Sequence, residues 1–305
     1  MSNPHKVTES LDLTIVIPVG GRNPSTQSLK TWFTGELIKK LNFVFVLDDL
    51  NPLILKSFKE FINQQQANSI KILEICCKNP GGARNFGLQE VETTWVSFCD
   101  SDDHPDLRNI SQVLNSEIAN DSDVIRGRYA VNREENGALP RQFQEDRDIS
   151  NHWDLISFGP GIWRYLFKTE LIRDKNFPEL SLAEDQIFLM RVFWSEPKIG
   201  QSELSFYTYY LGNPDALTSN HKKLGDLVQV FNLGRIGFSY AKTENQENLS
   251  SIVMARALIT SRSDLKTFIR IVFELLTKVS FGNKIKIMAF VKLQLSRRKL
   301  DKNDE

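Results

Sequence analysis

Three carboxylates at the end of an apolar run are the feature of this sequence that points most directly to chemistry. Residues 96–99 (Val-Ser-Phe-Cys) lead straight into residues 100–103 (Asp-Ser-Asp-Asp). Like charges at this spacing disfavour one another unless a cation offsets them, and oxygen ligands suit Mg²⁺ or Mn²⁺. Because Mg²⁺ leaves most of its positions to phosphate and water, the cluster predicts a metal site that receives a diphosphate. The alternative is an acidic turn that caps a helix beginning near Asp106.

A second segment, residues 79–87, reads Asn-Pro-Gly-Gly-Ala-Arg-Asn-Phe-Gly between a predicted strand and a predicted helix. Free N–H groups at a helix start favour an anionic ligand, and glycines let the backbone approach a phosphate or a nucleobase. Arg84 would add a charge-assisted contact to phosphate. An ordinary turn followed by a capped helix is the alternative.

Alternating strands and helices must position both segments. Short β-branched or apolar runs predict strands at residues 13–19, 43–47, 70–76, 95–99, 123–131 and 206–210. Helical patterns predict helices at residues 26–40, 53–66, 81–91, 106–120 and 184–194. This order predicts an α/β fold with a doubly wound, mostly parallel sheet, whose ligands bind beyond the carboxyl ends of the strands. The polar stretch 134–150 predicts a long surface loop that covers or selects a substrate.

The domain organisation follows from a change of pattern near residue 222. From residue 221 onward the strand signal fades and helical periodicity continues to about residue 300. We therefore predict a sheet-bearing domain over residues 1–222 and a C-terminal α-helical extension over residues 223–305.

Composition limits the compartment and the partners. Lys and Arg together number 38, equal to Asp and Glu, so no overall positive field would recruit nucleic acid. The three cysteines lie in apolar runs and indicate reduced thiols, which suits the cytoplasm. The N-terminus lacks the apolar core of a signal peptide, and no run reaches the length needed to cross a bilayer.

The C-terminal segment is locally basic. Residues 278–302 hold eight Lys or Arg side chains against the single acid Asp301, interleaved with apolar residues. The pattern is that of a basic amphipathic helix that lies on an anionic membrane, at the inner face for a cytoplasmic protein. A packed terminal helix with a solvated basic face is the alternative.

Taken together, these motifs resemble glycosyltransferase family 2, whose catalytic domain has the GT-A fold. The likeness covers roughly residues 11–220 and adds Ile-Pro at 17–18, Asp-Asp at 48–49, residues 163–168, Glu-Asp at 184–185 and residues 207–218. The resemblance implies an inverting, metal-dependent transfer of a sugar from a nucleotide diphosphate carrier, a UDP-sugar, to a hydroxyl of a saccharide or lipid-linked saccharide. Such an activity belongs to the synthesis of cell-surface polysaccharide or glycan.

The resemblance also implies roles for residues that bind the donor. Pro18, Val19 and Asp49 would line the nucleobase pocket, with Asp49 accepting a hydrogen bond from a uracil-type ring nitrogen. Arg84 would approach the nucleotide. The acidic cluster would contribute Asp100 and Ser101 to the ribose side of the donor and Asp102 to the Mn²⁺ or Mg²⁺ ion that bridges the diphosphate.

The remaining roles concern the acceptor. By the resemblance Asp185 is the catalytic base, at a helix start where the macrodipole favours the ionised form; a plain helix-start carboxylate is the alternative. Glu184 would orient the acceptor or its loop. Trp163 would stack on an acceptor sugar or pack in the core, and residues 210–218 are a candidate acceptor rim.

Two rival functions remain at this stage. A nucleotidyltransferase would need a lysine-rich phosphate loop early in the chain, and residues 20–22 (Gly-Gly-Arg) lack that lysine. A non-catalytic sensor or scaffold would keep the nucleotide-sugar pocket without the chemistry. The sequence after Asp185 lacks the Gln-x-x-Arg-Trp signature of processive synthases, so we predict the addition of a single sugar.

Overall fold

The computed structural model describes residues 11–20, 26–33, 35–133, 141–143, 151–157, 161–211 and 224–303. The chain forms two compact units. The first comprises Met1–Glu145, Ile162–Asp174 and Lys198–Asp215. The second comprises Asp146–Gly161, Lys175–Pro197 and Ala216–Glu305. Every strand of the described residues belongs to the first unit, and the described part of the second unit is helical.

One mixed sheet organises the first unit. Its strands are β1 (Leu13–Val19), β2 (Asn42–Asp48), β3 (Ser69–Ile75), β4 (Trp95–Phe98), β5 (His104–Pro105), β6 (Val124–Arg133), β7 (Arg141–Phe143), β8 (Tyr165–Lys168) and β9 (Ile199–Leu211). The order is β3-β2-β1-β4-β8-β6-β9-β5, and β7 pairs with β6. Strands β1 to β4 are mutually parallel, β8 runs against them, and β6 and β9 return to their direction. The predicted mostly parallel α/β sheet is therefore confirmed.

Helices connect and follow the strands. They are α1 (Gln27–Trp32), α2 (Pro52–Asn63), α3 (Pro80–Gln89), α4 (Leu107–Leu114), α5 (Glu117–Asn120), α6 (His152–Ser157), α7 (Thr169–Ile172), α8 (Glu184–Phe193), α9 (Asp226–Tyr240), α10 (Glu244–Thr260), α11 (Leu265–Lys278) and α12 (Phe281–Asn303). Of these, α1 to α5 and α7 belong to the first unit, and α6 and α8 to α12 belong to the second.

The helix predicted over residues 26–40 is interrupted. After α1 the chain turns inward at Phe33, whose buried ring packs against Phe43 at 4.5 Å between centroids and Phe45 at 5.6 Å. Gly35 then takes φ +87°, a conformation that suits glycine and ends a helix. Burial of an aromatic ring in the core outweighs the local helical pattern here.

Two predicted segments fall wholly or partly outside the described residues. Of the loop predicted over residues 134–150, the structure describes residues 141–143, which form β7 against β6. The candidate acceptor rim at residues 210–218 is described only to residue 211, the end of β9. The part played by each segment stays a prediction.

Helix α3 lies directly on β1 and β2, and a glycine makes this approach close. A Cβ atom at Gly87 would overlap Val16 Cγ1 and would lie 3.0 Å from Val46 Cγ2. The start of the same helix is fixed by Asn79, whose side-chain oxygen accepts the N–H of Gly82 at 2.6 Å. The sequence thus sets both the depth and the starting point of the helix that carries Arg84.

The helical second unit accounts for most of the C-terminal region. Helix α12 packs through Ile287, Val291 and Gln294, and Phe290 meets Trp153 of α6 at 5.0 Å between ring centroids. This is the packing expected of a terminal helix. Among the helices of the described residues, none combines the length and apolar composition needed to cross a membrane. The domain boundary near residue 222 stays a prediction.

Replacing Gly87 with alanine should destabilise the protein. The added methyl group would overlap the buried side chain of Val16, and overpacking of this kind costs about 1–3 kcal/mol. Gly282→Ala is the matched control, since no atom lies within 4 Å of the new Cβ and alanine favours a helix. Urea unfolding should show a lower midpoint for Gly87→Ala only. Equal midpoints for both variants would contradict close packing at this helix.

Candidate functional site

The polar segments that follow three neighbouring strands meet at one edge of the sheet. Strand β1 lies between β2 and β4, and all three are parallel, so their carboxyl ends face the same way. Two strand spacings separate the ends of β2 and β4, which is about 10 Å. Asp49, Pro18 and Asp100 therefore belong to one rim, the position at which ligands bind in open α/β sheets.

The acidic cluster forms a tight turn held by one tyrosine. The N–H of Asp103 donates to the carbonyl of Asp100 at 3.2 Å, which closes the turn. The hydroxyl of Tyr207 in β9 accepts the N–H of Asp100 at 3.0 Å and donates to Asp103 Oδ2 at 3.0 Å. Burial, followed by the charge of Asp103, raises the pKa of Tyr207 well above its usual value, so the phenol keeps its proton. Sequence reasoning missed Tyr207 because it lies more than a hundred residues from the turn.

Arg84 of α3 contacts the acidic turn through Asp100. Its guanidinium donates to Asp100 Oδ1 at 2.7 Å, and its side chain is almost fully buried while that of Asp100 is 32% exposed. A buried arginine that pairs with a carboxylate fixes both the charge and the orientation of that carboxylate. The described geometry makes Arg84 a positioning group for Asp100. Its direct contact with the nucleotide stays a prediction.

The three carboxylates of the turn do not share one environment. Asp103 is buried at 3% exposure, Asp100 is half-buried against Arg84, and Asp102 is exposed. No group of three or more metal-binding side chains converges anywhere in the part of the chain that is described. The premise that crowding among three carboxylates requires a cation is therefore too simple, because Arg84 and Tyr207 already partner two of them.

Asp102 still fits a divalent ion. It is an exposed carboxylate, next to the half-buried Ser101, at the rim where ligands bind. Mg²⁺ in nucleotide sites takes one or two protein carboxylates and completes its shell with phosphate and water. A single carboxylate is thus a sufficient protein ligand when a diphosphate supplies the others.

The two aspartates that follow β2 have separate tasks. Asp48 is buried, and its Oδ1 accepts the N–H groups of Cys77 at 2.8 Å and Lys78 at 3.0 Å, which ties the loop after β3 to β2. Asp49 is exposed and has a φ of +54°. Its Oδ1 accepts a hydrogen bond from the Cys76 thiol at 3.3 Å, and its Oδ2 lies 3.3 Å from Lys78 Nζ. The hydrogen bond from Cys76, followed by that from Lys78, lowers the pKa of Asp49 and keeps it ionised. Cys76 and Lys78 were not predicted as site residues.

The structure also describes Pro18, Val19 and the start of α3, which were predicted to lie on the donor side. Val19 is fully buried in the core, whereas Pro18 is half-buried. At the start of α3, the N–H of Gly82 already donates to Asn79. Asn79 therefore caps this helix, as the alternative expected, and the approach of an anionic ligand to this segment stays a prediction.

Trp163 packs among tyrosines. Its ring stacks on Tyr207 at 4.5 Å and on Tyr209 at 5.7 Å between centroids, and it meets Tyr129 edge-on at 4.8 Å. These contacts match the packing alternative. They also place Trp163 directly behind the tyrosine that holds the acidic turn, while its contact with an acceptor sugar stays a prediction.

Glu184 and Asp185 lie in the second unit, at the start of α8. Glu184 is buried and Asp185 is half-buried, and Asp185 Oδ1 accepts the N–H of Gln186 at 2.7 Å. The preceding Ala183 takes φ +62°, which is uncommon for a residue with a Cβ atom. Asp185 is therefore the more accessible member of the acidic pair, at a helix end that favours a negative charge.

A family model described as "Glycosyl transferase family 2" matches residues 42–196. This range is just over half of the chain. It includes the predicted site residues from Asp49 to Asp185 and leaves out Pro18 and Val19.

Curated relatives match over about half of the chain. The poly(ribitol-phosphate) beta-N-acetylglucosaminyltransferase TarP of Staphylococcus aureus (strain N315) is 28% identical over 179 residues, which cover 55% of this chain and 50% of TarP. The chain spans half or less of the length of the curated relatives it matches.

Solved structures match over most of the chain. The crystal structure of S. aureus TarS 1-349 in complex with UDP-GlcNAc aligns with a TM-score of 0.64 at 20% identity, over 91% of this chain and 79% of that one. A mannosyltransferase from Pyrobaculum calidifontis, PcManGT, solved with GDP-Man and Mn²⁺, aligns with a TM-score of 0.53 at 11% identity, over 97% and 89%. At these identities the likeness shows the fold, and the GT-A fold predicted from the motifs is confirmed.

Tyr207→Phe should loosen the acidic turn. The variant keeps the ring but removes the hydroxyl, so the N–H of Asp100 and the buried carboxylate of Asp103 lose a partner. Such a loss costs about 1–3 kcal/mol of unfolding free energy, measured by urea denaturation, and amide exchange at Asp100 should accelerate. Tyr240→Phe, at an exposed tyrosine, is the control that should change neither quantity. Unchanged exchange at Asp100 in Tyr207→Phe would remove the tyrosine from this role.

Proposed function

The chain belongs to glycosyl transferase family 2, and from this premise we propose that it transfers one sugar from a UDP-sugar to a hydroxyl of a saccharide or lipid-linked saccharide. The observation that carries the proposal is the acidic turn after β4. There Asp102 is exposed while Asp100 and Asp103 are held by Arg84 and Tyr207. A turn that is held by two partners and carries an exposed carboxylate suits a ligand that brings a diphosphate and a divalent ion.

Asp49 is the proposed reader of the nucleobase. An ionised carboxylate accepts a hydrogen bond from the ring N–H of uracil, and Cys76 and Lys78 lower the pKa of Asp49. Pro18 and the main chain of Val19 end the strand between Asp49 and the acidic turn. TarS was solved with UDP-GlcNAc, which supports a uridine donor for this chain.

Asp102 is the proposed protein ligand of Mn²⁺ or Mg²⁺. When bound, the ion would offset negative charge on the leaving diphosphate. Asp100 and Ser101 would contact the ribose side of the donor, with Arg84 holding the Asp100 carboxylate in place. PcManGT, which has the same fold, was solved with Mn²⁺, and this supports a metal in the proposed reaction.

The proposed base is Asp185. It takes the proton of the acceptor hydroxyl as that oxygen bonds to the anomeric carbon, and the bond from that carbon to the diphosphate breaks on the opposite face. Inversion follows from this geometry of attack. General-base assistance typically contributes about 10²- to 10⁴-fold. Glu184 orients the acceptor or its loop, and Trp163 is the proposed stacking surface for an acceptor sugar.

The acceptor class is proposed from the relatives. TarP is named as a poly(ribitol-phosphate) beta-N-acetylglucosaminyltransferase, and the acceptor proposed here for this chain is a saccharide or lipid-linked saccharide of cell-surface polysaccharide or glycan synthesis. We place the reaction on the cytoplasmic side, where the three free cysteines would remain reduced.

One assay separates this proposal from its rivals. The protein is incubated with Mn²⁺, a panel of nucleotide sugars and candidate saccharide acceptors, and the released phosphate species are identified. Release of UDP with a glycosylated product supports the proposal. Release of pyrophosphate would indicate a nucleotidyltransferase instead. Binding of UDP-sugars without turnover across the acceptor panel would indicate a sensor or scaffold.

Asp102→Asn should weaken metal-dependent donor binding. The neutral amide is a weaker ligand for a divalent ion than the carboxylate, so calorimetry should show at least about a tenfold loss of affinity for UDP with Mn²⁺ present. The loss should be much smaller with EDTA present. Asp121→Asn, at another exposed aspartate of the first unit, is the control. Equal Mn²⁺-dependent affinity in Asp102→Asn and the wild type would assign the metal to other groups.

Asp185→Asn should leave donor binding intact and greatly slow turnover. The amide cannot take the acceptor proton, so kcat should fall about 10²- to 10⁴-fold while the Kd for UDP changes little. Glu244→Gln removes a first-turn carboxylate from another helix of the same unit and should keep full activity. Wild-type kcat in Asp185→Asn would exclude this residue as the base.

A further inference from the structure

Two consecutive helices of the second unit expose large apolar side chains in regular rows. Their exposed fractions range from 49% to 78%, for Leu265, Ile269, Phe273 and Leu276 of α11 and for Phe281, Ile285 and Met288 of α12. Spacings of three and four residues put the members of each row on one side of their helix. Single exposed apolar residues are ordinary, but two ordered rows of this size mark an interaction surface. We call these seven side chains the apolar rows.

The fold itself does not need the apolar rows. Helix α11 is anchored by other positions, namely Thr267, Ile271 and Leu275, which are buried. The spacing places these anchors on the side of α11 opposite to its exposed row. Helix α12 is likewise anchored through Ile287 and its buried neighbours. Both helices therefore have one face that packs against the unit and a second apolar face that meets solvent.

A cationic side chain joins the two helices where the rows approach each other. Lys284 Nζ donates to the carbonyl of Leu276 at 2.8 Å, across the short connection between α11 and α12. Leu276 and Phe281 lie on either side of this connection and are both more than 60% exposed. The corner thus presents apolar rings and methyl groups beside a lysine.

The charge of this region identifies the kind of partner. Residues 265–296 contain six Lys or Arg side chains and a single acid, Glu274, for a net charge of +5, although the whole chain is neutral. Lys266, Arg270 and Lys292 are exposed beside the apolar rows. Apolar side chains flanked by cations match the boundary between the headgroups and acyl chains of an anionic bilayer. A second copy of the same surface would bring +5 against +5, which disfavours self-association.

We propose that the apolar rows dock the protein on an anionic membrane surface, with α11 and the first turns of α12 lying along the interface. This moves the membrane contact from the basic tail predicted over residues 278–302 to a surface centred on α11 and the α11–α12 corner. The proposal does not depend on the proposed activity, since it concerns the second unit alone.

Vesicle flotation tests the proposal with the full chain. Vesicles of phosphatidylcholine with about 30% phosphatidylglycerol should carry the wild type upward, whereas pure phosphatidylcholine should not. The triple variant Phe273→Ser/Leu276→Ser/Phe281→Ser should lose about a hundredfold or more in partition coefficient. Lys266→Gln/Arg270→Gln/Lys292→Gln should lose about a hundredfold on the anionic vesicles. Leu53→Ser, at an 82% exposed leucine of α2, is the matched control and should float like the wild type.

Thermal unfolding shows whether each variant is folded, and light scattering shows whether the protein forms a dimer. The variants change exposed side chains, so their Tm should equal that of the wild type within a few degrees. A wild type that stays unbound on anionic vesicles overturns the proposal, as does a triple variant with normal Tm that floats normally. A wild-type dimer that the triple variant converts to monomer, without vesicle binding, would assign the rows to a second copy and also overturn it.

Discussion

The hydroxyl of Tyr207 is the contact on which the rest of the donor side depends. Strands β4 and β9 are not neighbours in the sheet, because β8 and β6 lie between them. The tyrosine nevertheless reaches the turn after β4, because the chain beyond that turn forms β5, where Pro105 pairs with Tyr207 itself. Trp163 stacks on the same ring. One residue thus connects the parallel half of the sheet, the acidic turn and the aromatic packing of the mixed half.

The carboxylates of this rim divide into two kinds. Asp48 and Asp103 are buried, and both accept hydrogen bonds within the fold. Asp48 accepts main-chain N–H groups, and Asp103 accepts the hydroxyl of Tyr207. Asp49 and Asp102 are exposed at the rim where ligands bind. Asp100 stands between the two kinds, since Arg84 orients it while part of its carboxylate stays accessible. Burying a carboxylate is costly unless hydrogen bonds or charges replace water, and the contacts of Asp48 and Asp103 meet that requirement.

Much of the fold could be predicted from the sequence because its strands are short, apolar and bounded by polar loops. Strand β1 was predicted with its observed bounds, and the acidic cluster was placed correctly at the end of β4. The break after α1 could not be predicted, since it arises when Phe33 enters a core made by distant strands. The roles of Arg84 and Tyr207 were hidden for the same reason. A local pattern shows that a side chain is polar, and only the tertiary structure shows which partner it meets.

The chain alternates between its two compact units, and this limits how the protein can be divided into fragments. The chain changes unit at residues 145, 161, 174, 197 and 215, so neither unit is one continuous segment. A single truncation therefore cannot isolate one unit without leaving fragments of the other unit behind. Helices α6 and α8 of the second unit lie between segments of the chain that form the first unit, so the two units are not fused end to end. Any engineering of this protein has to preserve this arrangement.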